Sequence, residues 1–129
     1  MTTLKRIETS QAPTPKGPYS QAVKAGSFLF VSGQIPINPL TNEVVENTIE
    51  AQTTQVLDNI EAVLQAEGLF FKNVVKVEVY LKDMNDFQEM NKLYAQRFSF
   101  SIQPARQTLQ VAKLPLDVLL EISCIAYYE

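Results

Sequence analysis

Between residues 75 and 82 the chain alternates without a break. Val75, Val77, Val79 and Leu81 fall on one side, and Lys76, Glu78, Tyr80 and Lys82 on the other. A period of two puts the four apolar side chains on one face of a β-strand, so the fold needs a sheet with that face covered. The sequence supplies helical cover on both sides of this strand. From Asn47 to Glu67, Ile49, Thr53, Val56, Ile60, Val63 and Leu64 share one helical stripe. Asn47 with Glu50 predicts a capping box at its start, and Gly68 a left-handed stop past its end. A second helix is expected from Asp86, as its cap, to about Phe98. Its inner stripe is Phe87, Met90, Tyr94 and Phe98, with Asn91 beside it.

Further strands flank this centre. Pro13, Pro15, Gly17 and Pro18 make the first segment a looped lead-in. Ser27 to Ser32 reads as a strand ended by Gly33. Residues 35–42 form a turn region, and Val44-Val45 starts a short return strand. After Pro104, Gln107 to Ala112 and Val118 to Tyr127 read as two strands, with Lys113 to Asp117 as a hairpin connection. The order predicts one α+β domain over residues 1–129, with two helices covering one face of a mixed sheet of about five or six strands. Self-association is the simplest cover for the other face.

The 129 residues, 46% of them hydrophobic, suffice for one buried core. The formal net charge is -3. Nucleic-acid binding, which needs Lys and Arg to neutralise phosphates, is therefore not expected. Histidine is absent and Cys124 is the single cysteine. The common zinc ligand sets and Ser-His-Asp or Cys-His catalysis are thereby excluded. Acid–base chemistry must use carboxylates, Tyr, Lys or water. One thiol suits a reducing compartment. Met1 to Arg6 lead into a polar stretch without a signal-peptide core, and no apolar run is long enough for a membrane helix. A cytoplasmic location is the expectation.

Several residues stand out of pattern. Glu121 interrupts a last strand that is apolar on both faces, which makes it a candidate buried acid. It is either a structural partner of a backbone amide or lysine, or a functional carboxylate. Arg106 opens a strand after Pro104-Ala105, and its planar fork suits bidentate grip of a carboxylate; it also fits a solvated surface charge. Tyr19 sits in the stiff run Gly17-Pro18-Tyr19-Ser20-Gln21, against a pocket or as a lid on the core. Gly33 either admits a ligand to the backbone or makes a turn. Asn91 is an inward amide or an ordinary surface one. Cys124, on an apolar strand face, reads as inert core rather than nucleophile.

Together the motifs resemble the Rid/YjgF family over nearly the whole chain. The matching runs are Gly17-Pro18-Tyr19-Ser20-Gln21-Ala22, Val31-Ser32-Gly33-Gln34-Ile35-Pro36, Asp83 to Phe87 with Asn91, Pro104-Ala105-Arg106, Val111 to Pro115, and Glu121-Ile122. The resemblance implies a chorismate-mutase-like fold assembled as a homotrimeric barrel, with clefts between subunits. It implies a hydrolase of the 2-iminobutanoate/2-iminopropanoate deaminase type. Such an enzyme turns 2-imino acids and their enamines, such as 2-aminoacrylate, into 2-keto acids and ammonia without metal or organic cofactor. Arg106 would hold the substrate carboxylate and Glu121 the attacking water. Tyr19 would close over the ligand, the Gly33 backbone would meet the imine end, and Asn91 would brace the pocket. Many relatives carry cysteine where this chain has Thr108. That substitution removes any thiol-dependent role but leaves a hydroxyl facing the cleft. The alternative is a trimeric protein that binds small carboxylates for regulation without significant catalysis. A ribonuclease role, ascribed to some relatives, fits poorly with the acidic balance and missing histidine.

Overall fold

The computed structural model describes residues 3–129. Met1 and Thr2, with which the polar lead-in and the expected domain begin, lie outside the described residues. The main sheet contains β1 (Lys5–Ile7), β2 (Ala22–Ala25), β3 (Phe28–Gln34), β6 (Val74–Leu81), β7 (Ala105–Gln110) and β8 (Leu120–Tyr127). β4 (Ile37–Asn38) and β5 (Glu43–Val44) pair separately as a small hairpin. The helices are α1 (Ile49–Gln65) and α2 (Phe87–Arg97). Across the sheet the order is β1-β2-β3-β8-β6-β7. β6 and β7 run parallel, and every other neighbouring pair is antiparallel. The expected mixed sheet with two helices on one face is the architecture observed.

The core lies between that face and the helices. Leu29, Val31, Val77, Val79, Leu81, Leu120 and Ile122 meet Val56, Ile60, Val63 and Leu64 of α1 and Met90 and Tyr94 of α2. Each large apolar side chain removed from water here stabilises the fold by about 1.5–3 kcal/mol. Two buried polar side chains of α1 fix its position. Asn59 Nδ2 donates to the Ile35 and Ile37 carbonyls, and the Gln52 carbonyl oxygen accepts from the Leu119 amide. The opposite sheet face stays open, with Phe28, Phe30, Leu109 and Tyr127 exposed.

Local details depart from the sequence expectation. The cap of α1 is Thr48, whose hydroxyl accepts from the Ala51 amide at 3.2 Å; Asn47 lies one residue too early to reach it. Gly68 does take the left-handed conformation, at φ 69°. Asp86 makes no side-chain cap on α2. Instead Asp83 accepts from the Asn85 amide and caps the 3-10 turn that leads into the helix. In β6 the alternation holds from Val77 onward, but Val75 is exposed because the register against β8 shifts between Val74 and Lys76.

The expected hairpin between the last two strands does not form. β7 lies outside β6 and β8 on its other side, so the connection crosses the end of β6. There the Val111 amide donates to the Leu81 carbonyl and the Lys82 amide to that of Leu119. The physical reason is solvation. Leu120, Ile122, Cys124 and Ala126 need a central, covered strand, whereas Arg106, Gln107, Thr108 and Gln110 suit an edge.

Candidate functional site

The expected site residues fall into two groups. Tyr19, Gly33 and Glu121 line one cavity of about 540 Å³, with walls from the loop before β2, the end of β3 and the turn before β8. The first wall is held by Gln21, which is buried. Its amide nitrogen donates to the carbonyls of Thr9, Ala12 and Pro13, and its oxygen accepts from the Thr9 amide at 2.7 Å. Tyr19 follows a tight turn closed by its own amide on the Gly17 carbonyl, and it remains 54% exposed at the cavity.

Gly33 lies where β3 loses register with β8, between Val31 opposite Cys124 and Gln34 opposite Ile122. The Glu121 carboxyl packs into the space that a side chain here would fill, and a Cβ on Gly33 would stand 2.8 Å from Glu121 Cδ. Glu121 projects from the open sheet face beside Tyr80, its partner on β6. The Tyr80 hydroxyl donates to Glu78 instead. Glu121 makes no ion pair among the described residues. Burial without compensation raises its pKa above the ordinary glutamate value. An acid so placed is suited to exchange a proton with a bound water.

The second group sits at the β7 edge on the helix side. Arg106 Nη1 donates to Asn91 Oδ1 at 2.7 Å, and the guanidinium lies over the Tyr94 ring at 4.6 Å and the Phe87 ring at 5.6 Å. This anchoring uses one donor and the flat face, leaving further N–H groups for a carboxylate. Arg106 has no acidic partner among the described residues. The hydroxyls of Thr108 and Tyr94 are buried nearby without a hydrogen-bond partner among the described residues. Burial pushes the Tyr94 phenol up to about 12, with the Arg106 charge acting in the opposite sense.

One chain does not bring the two groups together. Arg106 pairs with Val77 and Thr108 with Val79, both on the buried face, whereas Glu121 pairs with Tyr80 on the open face. Cys124 takes no part. It is buried, and burial pushes its thiol up to about 12. Sequence reasoning gave no site role to Gln21, Gln52, Asn59, Tyr94 or Leu116, although Tyr94 stood on the expected inner stripe of the second helix and Gln21 in a matching run. For Gln52 and Asn59 a signal existed: both fall on the buried side of a helical stripe.

Leu116 lines the cavity from a strained turn. It has φ 54° and ψ 19°, and Asp117 follows at φ 56°. Such left-handed residues cost about 1–3 kcal/mol each and persist where the surroundings over-determine them. Here Leu114 and Val118 are buried on either side, and Lys82 Nζ meets Asp117 Oδ2 at 3.1 Å. Among the described residues no cluster of His, Cys, Asp and Glu could hold a metal ion, and no helix is long and apolar enough to cross a membrane.

A six-stranded mixed sheet backed by two helices on one face is the fold of the Rid/YjgF class. Residues 9–128 match the family model described as Endoribonuclease L-PSP. A RutC family protein of Pyrococcus horikoshii is 58% identical over 123 residues, spanning 95% of this chain and 97% of that protein. Reactive Intermediate Deaminase A, chloroplastic, of Arabidopsis thaliana is 44% identical over 120 residues, 93% of this chain and 64% of that longer protein. The crystal structure of a Yersinia pestis protein of the Rid family superposes with a TM-score of 0.95 at 46% identity, covering 97% of this chain and 99% of that one. The chain belongs to the Rid family.

Proposed function

We propose that this protein hydrolyses 2-imino acids and their enamine tautomers to 2-keto acids and ammonia, at sites completed by two chains of a homotrimer. The observation that carries the reading is the pair of oppositely charged groups that make no ion pair among the described residues. Arg106 is braced by Asn91 and Tyr94 with donors to spare, and Glu121 is seated against Gly33 with a raised pKa. The deaminase name of the Arabidopsis relative supports it.

The chemistry follows from these groups. The substrate carboxylate takes the free donors of Arg106, which orients the imine carbon. Glu121 accepts a proton from the water as its oxygen bonds to the imine carbon, returns that proton to the carbinolamine nitrogen, and takes the hydroxyl proton as the carbon–nitrogen bond breaks to leave the 2-keto acid and ammonia. The Gly33 backbone lets the imine end approach, Tyr19 covers the mouth, and Thr108 offers its unused hydroxyl to the ligand or water. A protonated imine is already electrophilic, so neither histidine, metal nor cofactor is needed for the step.

Two chains are needed because Arg106 and Glu121 occupy opposite faces of one sheet. Covering the open face, with Phe28, Phe30, Leu109 and Tyr127, by a second chain would bury its apolar surface and carry a neighbour's Arg106 toward Glu121. Serine treated with a pyridoxal-phosphate dehydratase supplies 2-aminoacrylate, and semicarbazide competes for its imine. The protein should divert that imine to pyruvate. Arg106→Ala and Glu121→Gln should each be inactive alone, but refolded together they should regain activity. Inactivity of the wild-type oligomer with tight keto-acid binding would favour the regulatory carboxylate-binding reading. The word endoribonuclease in the family description is met by the net charge of -3 and the absence of histidine; no RNA cleavage is expected.

A further inference from the structure

We infer that Ser32 is a positioning residue for the proposed site: its hydroxyl clasps the turn that carries Tyr19 to the strand that carries Gly33. The inference rests on the reading above, in which Tyr19 covers a bound ligand.

The clasp is one short hydrogen bond. Ser32 Oγ donates to the Ser20 carbonyl at 2.6 Å, and the Ser32 amide donates to the Gln21 carbonyl at 3.0 Å. The amide bond extends the β2–β3 ladder, whose last paired residues at this end are Ala22 and Val31. The hydroxyl bond reaches beyond the ladder into the turn itself. Among the described residues no other hydrogen bond ties residues 14–20 to another part of the chain.

The turn has little else to hold it. The Tyr19 amide closes on the Gly17 carbonyl, and the ring packs back on Gly17, where an added Cβ would meet Tyr19 Cε2 at 3.4 Å. Both contacts are internal to the turn. Gln21 fixes the chain before it, through Thr9, Ala12 and Pro13, and leaves residues 14–20 to span the gap. Tyr19 is too exposed to fix the turn by packing. Ser32 also stands one residue before Gly33, whose empty side-chain space holds the Glu121 carboxyl. It thus couples two walls of the cavity: its hydroxyl holds the Tyr19 turn and its neighbour seats Glu121. With its one proton spent on a carbonyl, Ser32 acts through Tyr19 rather than on the ligand.

The test uses the intact oligomer. The chain has no tryptophan, so the indole introduced by Tyr19→Trp reports the turn alone. In that background Ser32→Ala should lower the fluorescence anisotropy of the ligand-free protein, and Ser32→Thr, which keeps the hydroxyl, should retain it. With Tyr19 in place, Ser32→Ala should raise KM for 2-aminoacrylate about 5-fold, the worth of one neutral hydrogen bond. It should leave kcat within about 2-fold, because Arg106 and Glu121 are untouched. Ser32→Cys keeps the size and donates weakly; it should follow Ser32→Ala, and it takes that variant's place if Ser32→Ala alters the mass in light scattering. An anisotropy or a KM unmoved by Ser32→Ala, or a Ser32→Cys protein that matches the wild type, overturns the assignment while wild-type turnover upholds the deaminase reading. If folded wild type turns over no imine, that reading falls and pyruvate binding judges the clasp: Ser32→Ala should raise its Kd about 5-fold, and an unchanged Kd overturns it. Neither turnover nor pyruvate binding by folded wild type overturns both.

Discussion

Gly33 and Glu121 are fitted to one another: the Glu121 carboxyl occupies the space where a Gly33 side chain would be, with Cδ 2.8 Å from an ideal Cβ position. Gly33 does not have a positive φ, so alanine is compatible with the backbone there. Because the clashing group is the end of a flexible side chain, Gly33→Ala should fold with nearly the wild-type melting temperature. The carboxyl must move, however, and imine hydrolysis should fall at least about 100-fold, the low end of what a displaced acid–base group removes. Circular dichroism melts and the semicarbazide competition measure the two effects separately.

Asn91 and the Tyr94 ring fix the plane of Arg106, so the proposed clamp is a fork rather than a bare charge. Lysine keeps the charge but neither the bidentate geometry nor the stacking. Arg106→Lys should therefore raise KM by roughly 10- to 100-fold, the loss of one charge-assisted hydrogen bond of about 1.5–3 kcal/mol. Full retention of KM would remove Arg106 as the carboxylate clamp.

The raised pKa of Glu121 makes opposite demands on activity and stability. In the proposed hydrolysis Glu121 must be ionised to take the water's proton, so the acid limb of kcat/KM should lie above the ordinary glutamate value of 4.5. Folding binds the proton more tightly than the unfolded chain does. The cost is thus absent below the unfolded value and appears as pH rises through the folded one. Glu121→Gln should melt slightly higher than wild type at neutral pH, and the two should converge in acid.

Thr108 carries a buried hydroxyl without a hydrogen-bond partner among the described residues. Valine replaces it at nearly constant shape. Thr108→Val should gain about 1 kcal/mol in urea unfolding by removing an unsatisfied group, and should lose activity if that hydroxyl serves ligand or water. A stabilised variant with unchanged kcat and KM would make Thr108 a packing residue only.

Cys124 is buried, with its thiol pushed up to about 12 by burial. At pH 8 a thiol reagent should leave the native protein unlabelled and modify one site per chain in denaturant. Rapid labelling of the native state would show that β8 opens locally.

The sequence alone determined what depends on neighbours along the chain. Periods of two and 3.6 gave β6 with its buried face from Val77 onward and both helices with theirs, because alternation and helical stripes follow from local backbone geometry. Glu121 and Arg106 were legible as charges out of place, and Gly33 as a glycine after a buried strand. Tertiary structure decided the rest. It chose β6 as the neighbour of both β7 and β8, since competition among strands for a covered position is not written in either strand. It set the carboxyl of Glu121 against Gly33 across a register shift. It stacked Arg106 on Tyr94, from a different element. It put Arg106 and Glu121 on opposite faces, because the side of a sheet on which a residue emerges is fixed only when register against every neighbour is fixed.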